Sequence, residues 1–190
     1  MKAKDVIEIS LKNIKREDIL LTSLITTEGS TFTDEQKEVF DDLLCSVNDC
    51  VMSICYIYLP QKMKEDIVVS NKIFNYSSLT KTLIDVVRIK DKIGVLHKFS
   101  TYPTYLKCDD GEFEITYTYQ PDVVQVLNDE IDLENKNISL RALMLGTVAN
   151  FYLKRGLFDE SSVWEKLFHE ELTACKRKKY IPEIKARKWA

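Results

Sequence analysis

With 190 residues, 45% of them apolar and 30% charged, the chain has enough material for one core, or one core with an insertion, and too little for separate cofactor and substrate lobes. That balance excludes a disordered, collagen-like or membrane-type sequence. The 27 Lys and Arg against 30 Asp and Glu, a net charge of -3, exclude a protein that coats nucleic acid over its whole surface, while leaving room for a local basic patch. The first ten residues carry no long apolar run, and no stretch approaches the roughly 20 apolar residues that span a bilayer. The expectation is a mature, non-exported chain with no membrane partner. Five cysteines (Cys45, Cys50, Cys55, Cys108, Cys175) are an odd number without close pairs, which argues against a disulfide framework and for a reducing compartment.

In chain order, residues 5–14 place Val6, Ile7, Ile9, Leu11 and Ile14 near one side of a short helix, and a second apolar patch follows at 19–25. Residues 26–33 are polar and contain glycine. Thr33 with Gln36 three positions on then forms a capping box, so a helix is predicted to start there. Its apolar stripe is Phe40, Leu43, Leu44, Val47, Val51, Ile54 and Tyr58, its early carboxylates favour the helix dipole, and Pro60 stops it.

From residue 65 to 120 the period changes to short β-branched and aromatic runs. One hairpin is predicted to run up 82–89, turn at 90–92 and return through 93–99. The clearest strand is 112–119, with Phe113, Ile115, Tyr117 and Tyr119 on one face and Glu114, Thr116 and Thr118 on the other. Asp109, Asp110 and Gly111 are expected to turn it back on 104–108, giving a sheet of about four or five strands. Pro121 ends the strands, and 122–136 reads as an irregular acidic connection with a helical turn available at 123–127.

Helix returns at Ser139, with Leu140, Leu143, Met144, Thr147, Val148, Phe151 and Tyr152 at helical spacing and Gly156 at the position of a left-handed cap. Asp159 is expected to cap a second helix carrying Val163, Trp164, Leu167, Phe168, Leu172 and Cys175, so that the two form a helical hairpin. The last fifteen residues change character. Seven Lys and Arg stand there against the single Glu183, a local charge of +6 that leaves about -9 on the remainder. With Tyr180, Ile181, Pro182, Ile184 and Trp189 as anchors, this has the composition of a segment that orders by docking on a partner.

Catalytic and metal chemistry have little to rest on. His97 falls in a strand and His169 beside Glu170 and Glu171 on a helix; no HExxH, CxxC, GxGxxG or GxxxxGK[ST] stretch occurs. Cys45, Cys50 and Cys55 are spaced by five and drift around a helix, so they read as core thiols. The pairs Asp41/Asp42, Asp109/Asp110 and Glu170/Glu171 read as solvated faces or a turn, and the row Tyr102, Tyr105, Phe113, Tyr117 and Tyr119 reads as sheet core, since no Lys or Arg interleaves with the rings as a base-stacking platform requires.

The segment RALMLGTVANFYLKRGLFDESSVWEKLFHEELTACKRKKY resembles the C-terminal half of head-to-tail connector (adaptor) proteins of tailed bacteriophages, especially the short-tailed and crAss-like kind. Ala142, Leu143, Gly146, Ala149, Tyr152, Gly156 and Trp164, followed by four basic residues, stand where that pattern has them. The ending from Lys185 to Ala190 also looks like the terminus of such adaptors. The resemblance is specific over 140–190 and architectural before that, and the long N-terminal region and the Asn- and Glu-rich loop at 132–137 depart from it.

The resemblance implies a ring of about twelve copies under the portal, extending the DNA channel and receiving the next tail component, with no enzymatic activity, cofactor or metal. It implies that a C-terminal arm docks on the portal through Lys176, Arg177, Lys178, Lys179, Tyr180, Ile181, Arg187 and Trp189. The expected fold class is α+β: a helical bundle with a small inserted antiparallel β domain and an extended basic C-terminal arm. Its parts are N-terminal helices (1–62), an inserted sheet (63–121), a connection and helical hairpin (122–178), and the arm (179–190). The expected partners are the portal protein, a tail or ring protein on the opposite side, other copies of the chain, and duplex DNA passing through without specific binding. The location would be the virion head-tail junction, after assembly in host cytoplasm. The alternative is a nucleic-acid-binding regulatory module that uses the basic arm as a phosphate tether.

Overall fold

The computed structural model describes residues 1–19, 33–133 and 138–178, excepting the side chains of 176–178. The fold is mixed α+β, in two compact units: a helical one (Met1–Val51, Val123–Ile131, Asn135–Ala190) and a sheet one (Met52–Asp122, Asp132–Glu134). The patch at 19–25, beyond Ile19, and most of the loop at 132–137 lie outside the described residues, as does all of the arm from Lys179 onward.

In the helical unit, α1 (Ala3–Asn13) buries Ala3, Val6, Ile7, Ser10 and Leu11. Its first amides are not left open. Ala3 N–H donates to Asp129 O at 3.0 Å and Lys4 N–H to Leu127 O at 2.9 Å, so the acidic connection serves as the cap. That connection forms no helical turn at 123–127. Asn48 holds it extended, donating to Val124 O and accepting from Val124 N–H, both at 2.9 Å, while the Asp129 carboxylate takes the amides of Gln125 and Val126 and is held below its usual pKa by them.

Helix α2 (Asp34–Ser53) starts on the predicted capping box: Gln36 N–H donates to Thr33 Oγ1 at 3.3 Å and Thr33 N–H to Gln36 Oε1 at 3.2 Å. Its buried stripe is Val39, Leu43, Ser46, Val47, Cys50 and Val51, turned one position from the predicted one, so that Phe40 and Leu44 sit at its border. The small residues Ser46 and Cys50 face α3 (Leu140–Lys154), where a Cβ on Gly146 would stand 2.4 Å from Cys50 Sγ and 2.9 Å from the Phe168 ring. Close approach, not packing of large side chains, brings these helices together.

Helix α3 is buried on nearly all sides from Ala142 to Ala149, as a helix with partners all round it must be. Ser139 caps it, accepting Ala142 N–H at 3.0 Å, and Gly156 takes φ +73° at its exit. Helix α4 (Phe158–Lys178) packs antiparallel on α3 through Ser161, Phe168, Leu172 and Cys175. Because it begins at Phe158, Asp159 lies inside the first turn and is not the predicted cap. Val163 is 61% exposed and outside the core stripe where it was expected.

In the sheet unit α2 runs on into a π-helical turn (Ile54–Tyr58) and the chain enters β1 (Lys62–Val69). The further strands are β2 (Ile73–Asn75), β3 (Leu83–Asp91), β4 (Leu96–His97), β5 (Ser100–Thr101), β6 (Tyr105–Lys107) and β7 (Gly111–Tyr119). They form two antiparallel sheets, β1-β7-β3-β4 and β2-β6-β5, around a core of Ile67, Val86, Ile89, Leu106, Phe113, Ile115, Tyr117 and Tyr119.

Three sequence expectations fail here, the first being one sheet of about four or five strands, since the seven strands divide into two sheets. Asp109 to Gly111 do not fold β7 back on β6: β7 pairs with β1 and β3, while β6 lies between β2 and β5. The Asp110 carboxylate instead accepts Lys72 N–H at 2.6 Å, bracing the β1–β2 turn in which Asn71 and Lys72 adopt φ 58° and 60°. The hairpin after β3 also turns later and returns for only two residues. Asp91 Oδ1 accepts the amides of Ile93 (2.9 Å) and Val95 (2.8 Å), and Gly94 takes φ +92°, which removes those residues from the ladder.

Candidate interaction surfaces

Of the predicted docking residues, Lys176, Arg177 and Lys178 form the last residues of α4, whereas Lys179, Tyr180, Ile181, Arg187 and Trp189 lie outside the described residues. The basic run therefore begins on a helix whose earlier turns are anchored in a core. Around the α3–α4 turn Leu153, Leu157 and Phe158 are exposed, and along the flank of α4 Val163 and Leu167 are too. These make the apolar border of the helical unit.

The titratable side chains singled out in the sequence do not converge. His97 Nε2 lies 3.4 Å from Asp91 Oδ2 and its ring packs edge-on to Phe113 at 4.8 Å; His169 Nε2 lies 3.5 Å from Glu165 on the same helix. Cys50, Cys55, Cys108 and Cys175 are buried and Cys45 is exposed. Burial pushes the Cys55 and Cys108 thiols up, and at Cys108 the nearby Asp109 and Asp110 push further, so both favour the neutral thiol. Among the described residues no group of three His, Cys, Asp or Glu could hold a metal ion, and no helix is long and apolar enough to cross a membrane. Tyr117 and Tyr119 lie in the core, and Tyr102 stacks on Tyr105 at 4.6 Å beside the smaller sheet.

The chemistry the sequence did not reveal is at the start of β3. A cleft of about 820 Å³ opens between the segment from Asn75 to Val86 and the loop from Thr101 to Thr104. Leu79, Leu83 and Val86 give it apolar ground, and Thr80, Thr82 and Thr104 line it with hydroxyls. Neither histidine nor Cys108 is among its lining residues.

Beside the cleft a polar network ties the unit together. Lys81 bonds the carboxylates of Asp122 and Asp132, the latter at 2.9 Å, and its ammonium lies 5.8 Å from the centre of the Tyr119 ring. The Asp122 bond comes first among the causes that raise its pKa. Tyr119 OH donates to Gln61 Oε1 at 3.1 Å, and Gln61 Nε2 donates to Asp132 O at 2.9 Å and to Cys55 Sγ at 3.1 Å. A buried amide is thus bonded at both ends, as its burial requires.

At the other end of β3 the Asp91 turn presents Ile93, Val95 and Leu96 with exposures of 89%, 56% and 65%. This turn is rigidly built: Gly94 N–H donates to Asp91 O and Asp91 N–H to Val95 O, both at 3.0 Å, and the amide of Val95 leads the interactions that depress the Asp91 pKa. The sequence carried one signal for it, the run Ile93-Gly94-Val95-Leu96 between Lys92 and Lys98, which reads equally well as a strand.

No family model matches the chain, and no curated protein matches it significantly. The geometry itself defines a mixed α+β protein.

Proposed function

We propose that the chain is a structural subunit of a head-to-tail connector in a tailed-phage virion, a ring component that joins portal to tail and extends the DNA channel. In this reading the helical unit is the bundle of the body, the sheet unit is inserted in it, and the basic C-terminal arm docks on the portal. The observation that carries it is that α4, packed on α3 by Phe168, Leu172 and Cys175, runs unbroken to Lys178, so the basic run starts on an anchored helix at the edge of a core. Charge supports the same reading. About -9 on the remainder of the chain against +6 on the last fifteen residues suits a body that lets DNA pass without gripping phosphates, with basicity kept for docking.

The test is binding of the full chain to an isolated portal ring. Truncation after Cys175 abolishes binding, and Trp189→Ala weakens it by more than about 1 kcal/mol, as for an aromatic anchor. Unchanged affinity in both variants overturns the docking assignment. Tight duplex binding with a steep salt slope that vanishes on truncation establishes the alternative, a nucleic-acid tether.

A further inference from the structure

We propose that the cleft at the start of β3 binds a neutral saccharide, with the Tyr102 ring as the platform on which a sugar ring stacks and Asp85 as the acceptor for two adjacent sugar hydroxyls. Its volume of about 820 Å³ falls within the roughly 300–1,000 Å³ of sites that take a small organic ligand. All of its lining residues belong to the sheet unit, so the site is complete in one copy of the chain and does not depend on the connector reading.

Hydroxyls dominate the polar lining. Those of Ser77, Thr80, Thr82, Thr101 and Thr104 make no hydrogen bond among the described residues. The main chain around them is already engaged: Tyr76 N–H donates to Thr104 O at 3.1 Å, Tyr102 N–H to Tyr105 O at 2.9 Å, Thr80 N–H to the Glu65 carboxylate at 3.2 Å, and Thr82 O accepts Gln120 N–H at 2.9 Å. A peptide laid in the cleft as an added strand finds those amides and carbonyls taken. A ligand rich in hydroxyls instead meets side chains that both donate and accept.

Charge argues against an ionic ligand. Lys81 is the one cation among the lining residues, and Asp122 and Asp132 already neutralise it, so nothing is left to hold a phosphate or sulfate. Asp85 is the one lining acid; it is exposed and pairs with no cation among the described residues. Its charge repels anions, and its two oxygens accept two O–H donors side by side, which is what adjacent sugar hydroxyls present. A ring and a carboxylate also attract an ammonium, but an ammonium only donates, and it would leave the donor side of every lining hydroxyl unused.

Tyr102 supplies the apolar part of recognition. It is 43% exposed and lies nearly parallel to Tyr105, at 14° with ring centres 4.6 Å apart, and Tyr105 is not among the lining residues. The covered face is therefore the one away from the cleft. The open face, electron-rich, is held in place for the C–H side of a sugar ring before any ligand arrives. Tyr76 adds an unused donor: its hydroxyl is buried, and no described residue accepts its proton. Burial raises its pKa, the Tyr102 main chain lowers it and the charge of Asp85 raises it again, which places the hydroxyl close to both. A buried donor without a partner is an exception in folded proteins, and a sugar oxygen or a water bridging to one completes it.

The test is saturation-transfer NMR on the full chain with four neutral hexasaccharides (maltohexaose, cellohexaose, chitohexaose and mannohexaose), and with a heparin hexasaccharide and spermidine as the anionic and cationic comparators. Tyr102→Ala, Tyr102→Phe and Thr104→Arg all change exposed positions, and an unchanged circular dichroism spectrum checks their fold. At least one neutral sugar is expected to bind, with transfer strongest at its ring C–H groups. Tyr102→Ala is expected to weaken that binding about tenfold, Tyr102→Phe to keep it, and Thr104→Arg, which fills the cleft, to abolish it. Absence of transfer to all four sugars overturns the inference, as does binding that survives Thr104→Arg or is indifferent to Tyr102→Ala. Tighter binding of heparin or spermidine than of every neutral sugar overturns it too, by showing that charge governs the cleft.

Discussion

The two units settle the same problem, polar groups next to a core, in opposite ways. In the helical unit three buried serines bond to main-chain carbonyls: Ser10 to Val6 O at 2.8 Å, Ser46 to Asp42 O at 2.6 Å, and Ser161 across to Ala149 O at 2.9 Å. In the sheet unit Tyr117 reaches Glu65 at 2.5 Å and Tyr119 reaches Gln61 at 3.1 Å, long side chains spanning neighbouring elements. A helix satisfies its own backbone and leaves small hydroxyls to bond locally, so fit between helices is decided by shape, at Gly146 above all. A sheet shares its backbone, must tie its margins with side chains, and keeps unfinished ends.

The comparison breaks most directly at the centres of the two cores. Ile115→Ala, at a fully buried position between Glu65 and Ile89, is expected to cost about 2–5 kcal/mol and to speed amide exchange in β1, β3 and β7 before α3. Simultaneous loss of protection in α3 would show that the cores are not separate in energy. Gly146→Ala is the helical counterpart. Helix propensity alone favours it by up to about 1 kcal/mol, but the new Cβ meets Cys50 Sγ at 2.4 Å and Phe168 at 2.9 Å, and overpacking of that kind costs about 1–3 kcal/mol. Net destabilisation in urea melts is expected, relieved in part by adding Cys50→Ala; a stabilised single variant would show that shape does not govern this unit. Ser139→Ala should cost about 1 kcal/mol through loss of the cap on Ala142 N–H and of the 2.9 Å bond to Glu171 of α4.

Local signals in the sequence were legible where one residue pair fixes geometry by itself. Thr33 with Gln36, Ser139, and Gly156 mark helix ends because each cap involves groups within three or four positions. The burial of Phe113, Ile115, Tyr117 and Tyr119 followed from alternation, but Thr116 and Thr118 are buried as well, since β7 is central and covered on both faces toward its end. Partner choice was not legible. Asp109 to Gly111 carry a turn signal that fits a hairpin and equally fits passage from one sheet to another, and only non-local pairing separates the two. The one-position rotation of the α2 stripe has a like cause: Cys50 is drawn inward by the missing side chain of Gly146, nearly a hundred residues away. For the candidate site, the sequence placed the basic run at the end of α4. It did not reveal the Asp91 turn, because apolar residues between turn signals default to strand, and only the acceptor role of Asp91 takes them out of it.

The smallest expected effect is absent at neutral pH and sharpens the contrast through one phenol. Burial first, and the bond to Glu65 second, push the Tyr117 pKa from its ordinary value of 10.0 up to about 12. The folded state therefore keeps this proton when the unfolded chain has released it. Stability contributed by the neutral phenol is fully present below pH about 10 and is lost as the pH rises through about 12. Glu65→Gln removes the carboxylate but not the burial, so a phenolate absorbance titration should show this tyrosine titrating earlier than in wild type and still later than an exposed one. A full return to the ordinary value would mean that the carboxylate, not burial, holds the proton, and that the sheet core is wetter at β7 than its packing indicates. No change at all would remove Glu65 as the partner, and with it the claim that this unit fastens its margins by side chains reaching from strand to strand.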